Sequence, residues 1–168
     1  MTPFAHGMHE NLGRRTLMTT LKWILYLWDE PHPVPSGEFE QLEHQLGITF
    51  PKDYKEVAAQ YQGMTPQPDV FNVGSGTNVV NVLLTIIEDH KWWTYSIMRA
   101  YEAVKPHVPS GVYPFASTPG GEYLCFDYRE SSEQPKVTLV TVEMFIYPVA
   151  DSFTDFMARL HDGENAPA

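Results

Sequence analysis

The chain has 168 residues, is 43% hydrophobic and 13% aromatic, and carries a formal net charge of −10 at pH 7. Length and apolar content suit one folded domain with a sizeable core and exclude a disordered chain. The charge argues against a nucleic-acid binder, which needs cations to displace phosphate counterions, and against docking on anionic lipid. It either serves solubility or favours a basic partner through faster association.

The chain opens with Arg14-Arg15 ahead of Leu17-Met18 and the apolar run Leu21 to Trp28. This faintly resembles an export signal. Lys22 interrupts the run, no small-x-small cleavage site follows, and the run is too short to span a bilayer. Residues 1–17 are therefore expected to be a disordered or non-native extension, with the domain over 18–163 and a frayed tail over 164–168.

Leu21 to Trp28 reads as a short strand or helix. Pro31, Pro33 and Pro35 enforce an extended linker. Ser36 is placed as the N-cap of a helix running to Leu46, with Phe39, Leu42 and Leu46 on one face and Gly47 as its stop. Pro51 suits the first turn of a second helix, whose apolar stripe is Tyr54, Val57, Ala58 and Tyr61, ended by Gly63. A surface pairing of Lys52 with Asp53 would add at most about 1 kcal/mol, so packing places these helices.

Further on, Val70 to Val73 reads as a short strand, Gly74-Ser75-Gly76 as a loop, and Val79 to Ile87 as a buried strand. Lys91 to Val104 reads as a helix, with Ile97, Tyr101 and Val104 at helical spacing and Pro106 and Pro109 beyond its end. Val112 to Ala116, Tyr123 to Tyr128 and Val137 to Glu143 read as strands separated by turn-rich segments. A last helix opens at Asp151 or Ser152, buries Phe153, Phe156, Met157 and Leu160, and stops at Gly163. The sum is a single α+β domain with a central, mostly antiparallel sheet and helices packed around it.

Signals for chemistry are poor. Gly74-Ser75-Gly76-Thr77 lacks the third glycine of a dinucleotide loop and the lysine of a phosphate loop. There is no G-x-S-x-G elbow. None of the seven histidines has a metal-ligand spacing, so no metal or other cofactor is expected. Cys125, the lone cysteine, forms no intrachain disulfide and reads as a core residue within Tyr123-Leu124-Cys125-Phe126. It hints only mildly at the cytoplasm. What stands out is acidic and aromatic: Glu88-Asp89, Trp92-Trp93, Glu122, Asp127 and Tyr128. Exposed tryptophan and tyrosine beside carboxylates make protein-binding hot spots. Glu88, Asp89, Trp92, Glu122, Asp127 and Tyr128 are therefore the candidate partner contacts. Asp127 has an equal structural alternative, accepting hydrogen bonds from the Gly120-Gly121 turn. Tyr113 is expected in the core.

The order of motifs resembles the SUKH superfamily, relatives of the yeast Smi/Knr cell-wall regulators. Leu46-Gly47-Ile48-Thr49-Phe50-Pro51-Lys52-Asp53-Tyr54-Lys55 is similar to its opening signature, with Gln62-Gly63 where the family often has Asn-Gly. Val112-Tyr113-Pro114-Phe115-Ala116 and Gly120 to Tyr128 resemble its central segment, Pro135-Lys136-Val137 the strand that follows, and Ala150 to Phe156 its closing helix. The resemblance implies a cytoplasmic immunity protein that is not an enzyme. Such a protein would bind a polymorphic or contact-dependent toxin domain, often a basic nuclease, and occlude its active site. The alternative it implies is a regulatory scaffold linked to cell-wall glucan synthesis.

If Met18 is the natural start, mass spectrometry of the protein from its native cells will show a terminus at Met18 or the residue after it. A retained Met1 or Thr2 would contradict this.

Overall fold

The computed structural model describes residues 21–163. The extension expected over 1–17 and the tail expected over 164–168 lie outside them. In chain order the elements are β1 (Lys22–Leu25), α1 (Glu38–Leu46), α2 (Lys52–Tyr61), β2 (Met64–Gln67), β3 (Val70–Val73), β4 (Gly76–Val79) and β5 (Val82–Leu83). Then follow α3 (Ile97–Val104), β6 (Val112–Ser117), β7 (Tyr123–Asp127), β8 (Lys136–Val140), β9 (Ile146–Ala150) and α4 (Phe153–Ala158).

The five-stranded sheet has the order β5-β6-β7-β8-β9, and every neighbouring pair is antiparallel. All six residues of β6 are buried, as is most of β7 and β8. Both faces are covered, so these strands read as unbroken apolar runs instead of alternating ones. Two further antiparallel pairs accompany the sheet, β1 with β2, which are separated in the chain by α1 and α2, and the hairpin of β3 with β4. The chain is thus the expected α+β domain with a mostly antiparallel sheet.

The register defines two ends of the sheet. Ser117 faces Tyr123, Tyr123 faces Val140 and Val140 faces Ile146 at one end. Val112 faces Asp127, Asp127 faces Lys136 and Val137 faces Ala150 at the other. The β6–β7 and β8–β9 turns therefore share the first end, and the β7–β8 loop lies at the second.

An aromatic cluster joins sheet to helices. Tyr54 of α2 is fully buried and meets Phe126 at 5.0 Å, Phe50 at 5.3 Å, Phe153 at 5.4 Å and Phe115 at 5.8 Å between ring centroids. Phe115 and Phe126 stack at 4.3 Å across β6 and β7. Such pairs add about 0.5–1.5 kcal/mol each beyond the area they bury. Cys125, fully buried, packs with Val104, Val112 and Val140 in a smaller cluster beneath α3.

Local expectations met several departures. The cap position of α1 is Gly37 at φ 88°, one residue past Ser36, with no side-chain cap. Gly47 closes that helix as expected, its N–H donating to the Glu43 carbonyl at 2.8 Å. Pro51 sits at the cap of α2 instead of inside its first turn. Lys52 and Asp53 do not pair. Asp53 Oδ2 accepts from Thr154 N at 3.1 Å and Thr154 Oγ1 at 2.5 Å, tying α2 to α4. Ser152 caps α4, accepting from Asp155 N at 3.0 Å. The stretch Val79 to Ile87 is buried over most of its length but is not one strand, being split between β4, β5 and irregular backbone. Lys91 to Val104 is not one helix: a 3-10 turn at Trp93–Tyr95 leads to Ser96, which caps α3. The third expected strand stops at Val140, β4 begins at Gly76 inside the segment read as a loop, and β2 and β9 were not anticipated. Both lie at sheet edges and carry a proline, Pro66 and Pro148. Proline is tolerated there and masks the strand signal.

One polar side chain pins this arrangement. Gln62, fully buried after α2, donates from Nε2 to the His32 carbonyl at 2.8 Å and accepts from Ile86 N at 2.8 Å. Gly63 follows at φ 73°, and a Cβ there would lie 2.6 Å from the Trp28 ring. Glycine suits that position on both counts.

Replacing Gln62 with leucine keeps the volume and strands two backbone groups. At about 1–3 kcal/mol for each group left unpaired, the loss should be about 2–6 kcal/mol by urea denaturation. A loss below about 0.5 kcal/mol would show that the pin is dispensable.

Candidate functional site

The structure does not bring the six candidate contacts together. Glu122 immediately precedes β7 and Tyr128 immediately follows it. At about 3.4 Å per residue their backbones lie about 20 Å apart.

Glu88, Asp89 and Trp92 belong to the segment between the buried Ile86 and α3. Asp89 Oδ1 accepts from Lys91 N at 2.8 Å and Trp92 N at 3.3 Å, and its carbonyl accepts from Trp92 N at 3.1 Å. This turns the chain into the Trp93–Tyr95 3-10 turn. Trp92 is half-buried and meets Tyr95 edge-on at 6.1 Å, and Tyr95 meets Tyr26 in the same way. A hydrogen bond with Tyr26, aided by burial, holds the Tyr95 hydroxyl above its usual pKa. Trp93 is 45% exposed, with Arg99 over its ring at 4.4 Å, and Lys91 lies over Trp92 at 4.9 Å. Arg99 is itself paired with Glu102 at 3.5 Å. Glu88 is exposed and forms none of the ion pairs among the described residues.

Beside this segment, Tyr26, Asn81, Tyr95, Ser117, Thr118 and Tyr123 line a cleft of about 370 Å³. Its position follows from the register, because Ser117 and Tyr123 end β6 and begin β7 at the turn that carries Glu122. Glu122 Oε1 accepts from Asn78 Nδ2 at 2.7 Å and Thr118 Oγ1 at 3.3 Å, which fixes the turn against β4. The cleft thus brings Tyr26, Tyr95 and Tyr123 beside the turn that carries Glu122, with Trp92 packed against Tyr95. Glu88 and Asp89 lie in the segment that follows β5 as it runs away from that turn, Val82 facing Ser117 and Leu83 facing Ala116. Tyr26, Tyr95 and Tyr123 were not among the sequence candidates. They come from three distant segments, and no spacing within one segment could have linked them.

Asp127 and Tyr128 stand at the opposite end. Asp127 is buried and its carboxylate is gripped by Arg129: Nε to Oδ1 at 3.0 Å, Nη2 to Oδ2 at 2.8 Å, with Arg129 N also donating at 3.1 Å. Burial would raise the Asp127 pKa, but the Arg129 hydrogen bonds and charge outweigh it and hold the carboxyl below its usual range. The structural role considered for Asp127 is real, but its partner is Arg129 and not the Gly120-Gly121 turn. Tyr128 donates from its hydroxyl to the Thr49 carbonyl at 2.8 Å, and burial followed by the nearby Glu43 carboxylate pushes its pKa up. It lines a second cleft, about 610 Å³, with Glu43, His44, Thr49, Gly111 and Tyr113. Tyr113 is buried and stacks on Tyr101 at 5.0 Å, as a core residue should.

Burial pushes the Cys125 thiol well above its usual pKa, with Asp127 adding to the effect, which disfavours the nucleophilic thiolate. No group of three or more histidine, cysteine or acidic side chains that could hold a metal converges among the described residues. None of the helices among them is long and apolar enough to cross a membrane.

Residues 33–159 match the model of the SMI1 / KNR4 family (SUKH-1). No curated protein matches the sequence.

Asp127 gives a pH test. A carboxyl held below its unfolded pKa adds stability above the ordinary aspartate value of about 3.9, and that stability is lost as pH falls through the folded value. Asp127→Asn should therefore lower the urea midpoint at pH 7, and the gap from the unmodified protein should close as pH drops below about 4. A gap that persists unchanged into acid would show that Arg129 does not select the ionised form.

Proposed function

This chain belongs to the SMI1 / KNR4 family (SUKH-1), and on that premise we propose that it is an immunity protein acting in the cytoplasm. It binds the toxin domain of a polymorphic or contact-dependent toxin, a basic nuclease, and neutralises it by covering the active site. It performs no chemistry of its own. The observation that carries this reading is the cleft lined by Tyr26, Tyr95 and Tyr123, with Trp92 packed on Tyr95 and the Glu122 turn beside it. Tryptophan and tyrosine there supply contact area, while Glu88, Asp89 and Glu122 supply attraction for a cationic partner. The chain's charge of −10 extends that attraction beyond the contact itself.

In this reading Glu88, Asp89, Trp92 and Glu122 are the partner contacts. Asp127 and Tyr128, about 20 Å away along β7, support the framework instead. Asp89 and Glu122 also shape the backbone around them, Asp89 through Lys91 and Trp92 and Glu122 through Asn78 and Thr118, so Glu88 is the cleanest position for mutation and the thermal midpoint of each variant is measured beside its binding.

The test asks first whether a gene beside this one encodes a secreted protein with a variable C-terminal domain, and then uses that domain, purified, as the probe; the lack of such a neighbour would count against the reading. Glu88→Lys combined with Glu122→Lys should slow association by about tenfold or more at low salt and change dissociation much less. The effect should fade as ionic strength rises. A neighbouring toxin domain that does not bind would overturn the assignment. Association that is equally fast for the double variant at low salt would remove its electrostatic part.

A further inference from the structure

The β8–β9 turn displays apolar side chains that the fold does not use. Phe145 is 63% exposed and Val142 60%, the two most exposed large apolar residues among those described, and Tyr147 follows at the start of β9. This is not a loose loop. Thr141 N donates to the Phe145 carbonyl at 2.9 Å, Met144 N to the Thr141 carbonyl at 2.9 Å, and Phe145 N to Thr141 Oγ1 at 3.1 Å. Met144 sits at φ 69°, the only non-glycine residue with positive φ among those described, and packs inward against the cluster around Cys125. A long side chain is strained in that conformation, and strain of this kind gathers at functional sites. Here it turns Phe145 outward while anchoring Met144.

The turn also lies at the end of the sheet already described, because Val140 faces Tyr123 across β7 and β8. Its apolar residues flank Glu143, which is exposed and has no ion-pair partner among the described residues. A second copy of this chain is a poor occupant. It would bring Glu143 and a net charge of −10 against their like. Pairing through the β9 edge is opposed by Pro148, which has no N–H, and by the register shift between Val137 and Thr138.

We propose that the β8–β9 turn is the apolar anchor of the partner interface, with Phe145 and Val142 entering an apolar pocket rimmed by lysine or arginine on a basic protein. The proposal rests on the immunity reading and adds where the partner's non-polar contact falls. Rigid presentation limits the ordering cost of binding, and a desolvated aromatic in a partner's pocket is the usual form of a hot spot.

The probe is the same purified toxin domain. Phe145→Ala should weaken binding at least tenfold, mainly through faster dissociation, with the thermal midpoint of the free protein unchanged. Val142→Ser, on the same turn, should weaken it in the same direction and guards against a misfolded first variant. Glu133→Ala, in the loop at the opposite end, should leave affinity as it is. If the unmodified protein binds and both turn variants bind within twofold of it, the anchor is overturned and the immunity reading stands. If the unmodified protein does not bind, both fall.

Discussion

The buried amide of Gln62 is the constraint that ties together the two segments bordering the cleft between Tyr26 and Tyr95. It holds two segments that have no long secondary structure of their own. Its Nε2 fixes the chain at His32, after the stretch that carries Tyr26 and Trp28. Its Oε1 fixes Ile86, from which Glu88 to Tyr95 departs. Ladder hydrogen bonds place the sheet and an aromatic cluster places the helices. The wall between Tyr26 and Tyr95 is held by backbone bonds, Leu27 N to the Gly63 carbonyl at 3.1 Å and Thr85 N to the Tyr95 carbonyl at 2.9 Å, and Gln62 ties the two flanking segments together from the interior. Buried polar groups that are fully satisfied specify geometry more than they add stability.

From that constraint the division of labour follows. The sheet end carrying Asp127 and Tyr128 is engaged with itself: a bidentate ion pair, and a hydroxyl committed to the Thr49 carbonyl. The end carrying Glu122 combines a partly polar cleft, exposed aromatic rings, carboxylates and the rigid β8–β9 turn. Lys91 and Arg99 temper the negative charge there, so the surface is mixed rather than uniformly acidic. A mixed surface suits recognition of one partner, because specificity depends on matching charges as well as attracting them.

Much of the fold was legible because its signals are local. The stripe Tyr54, Val57, Ala58 names the buried face of α2, and Ser152 followed by Phe153, Phe156 and Met157 names α4. The runs in β6 and β7 are apolar enough to be strands on sight. Where the signal was mixed, the reading failed. Pro66 and Pro148 hid two edge strands, and the apolar content of Val79 to Ile87 concealed a chain that is buried without being one strand. Apolar spacing from Lys91 onward ran together a 3-10 turn and a helix. The candidate site was legible only in its residue types. Adjacent acids and aromatics singled out Glu88, Asp89, Trp92 and Glu122, but only the register of β7 shows that Asp127 and Tyr128 lie a strand's length away. Phe145 escaped notice because its exposure depends on where β8 stops, and the sequence run continues apolar past Val140.

The proposed interface comprises the 88–95 segment, the β6–β7 turn and the β8–β9 turn. Hydrogen–deuterium exchange on the complex with the neighbouring toxin domain tests it most directly. The account predicts slowed exchange at 88–95, 118–123 and 141–147, with little change elsewhere. Slowed exchange confined to Gly47–Thr49, Gly111 and the loop from Tyr128 to Pro135 would contradict it and move the interface to the opposite end.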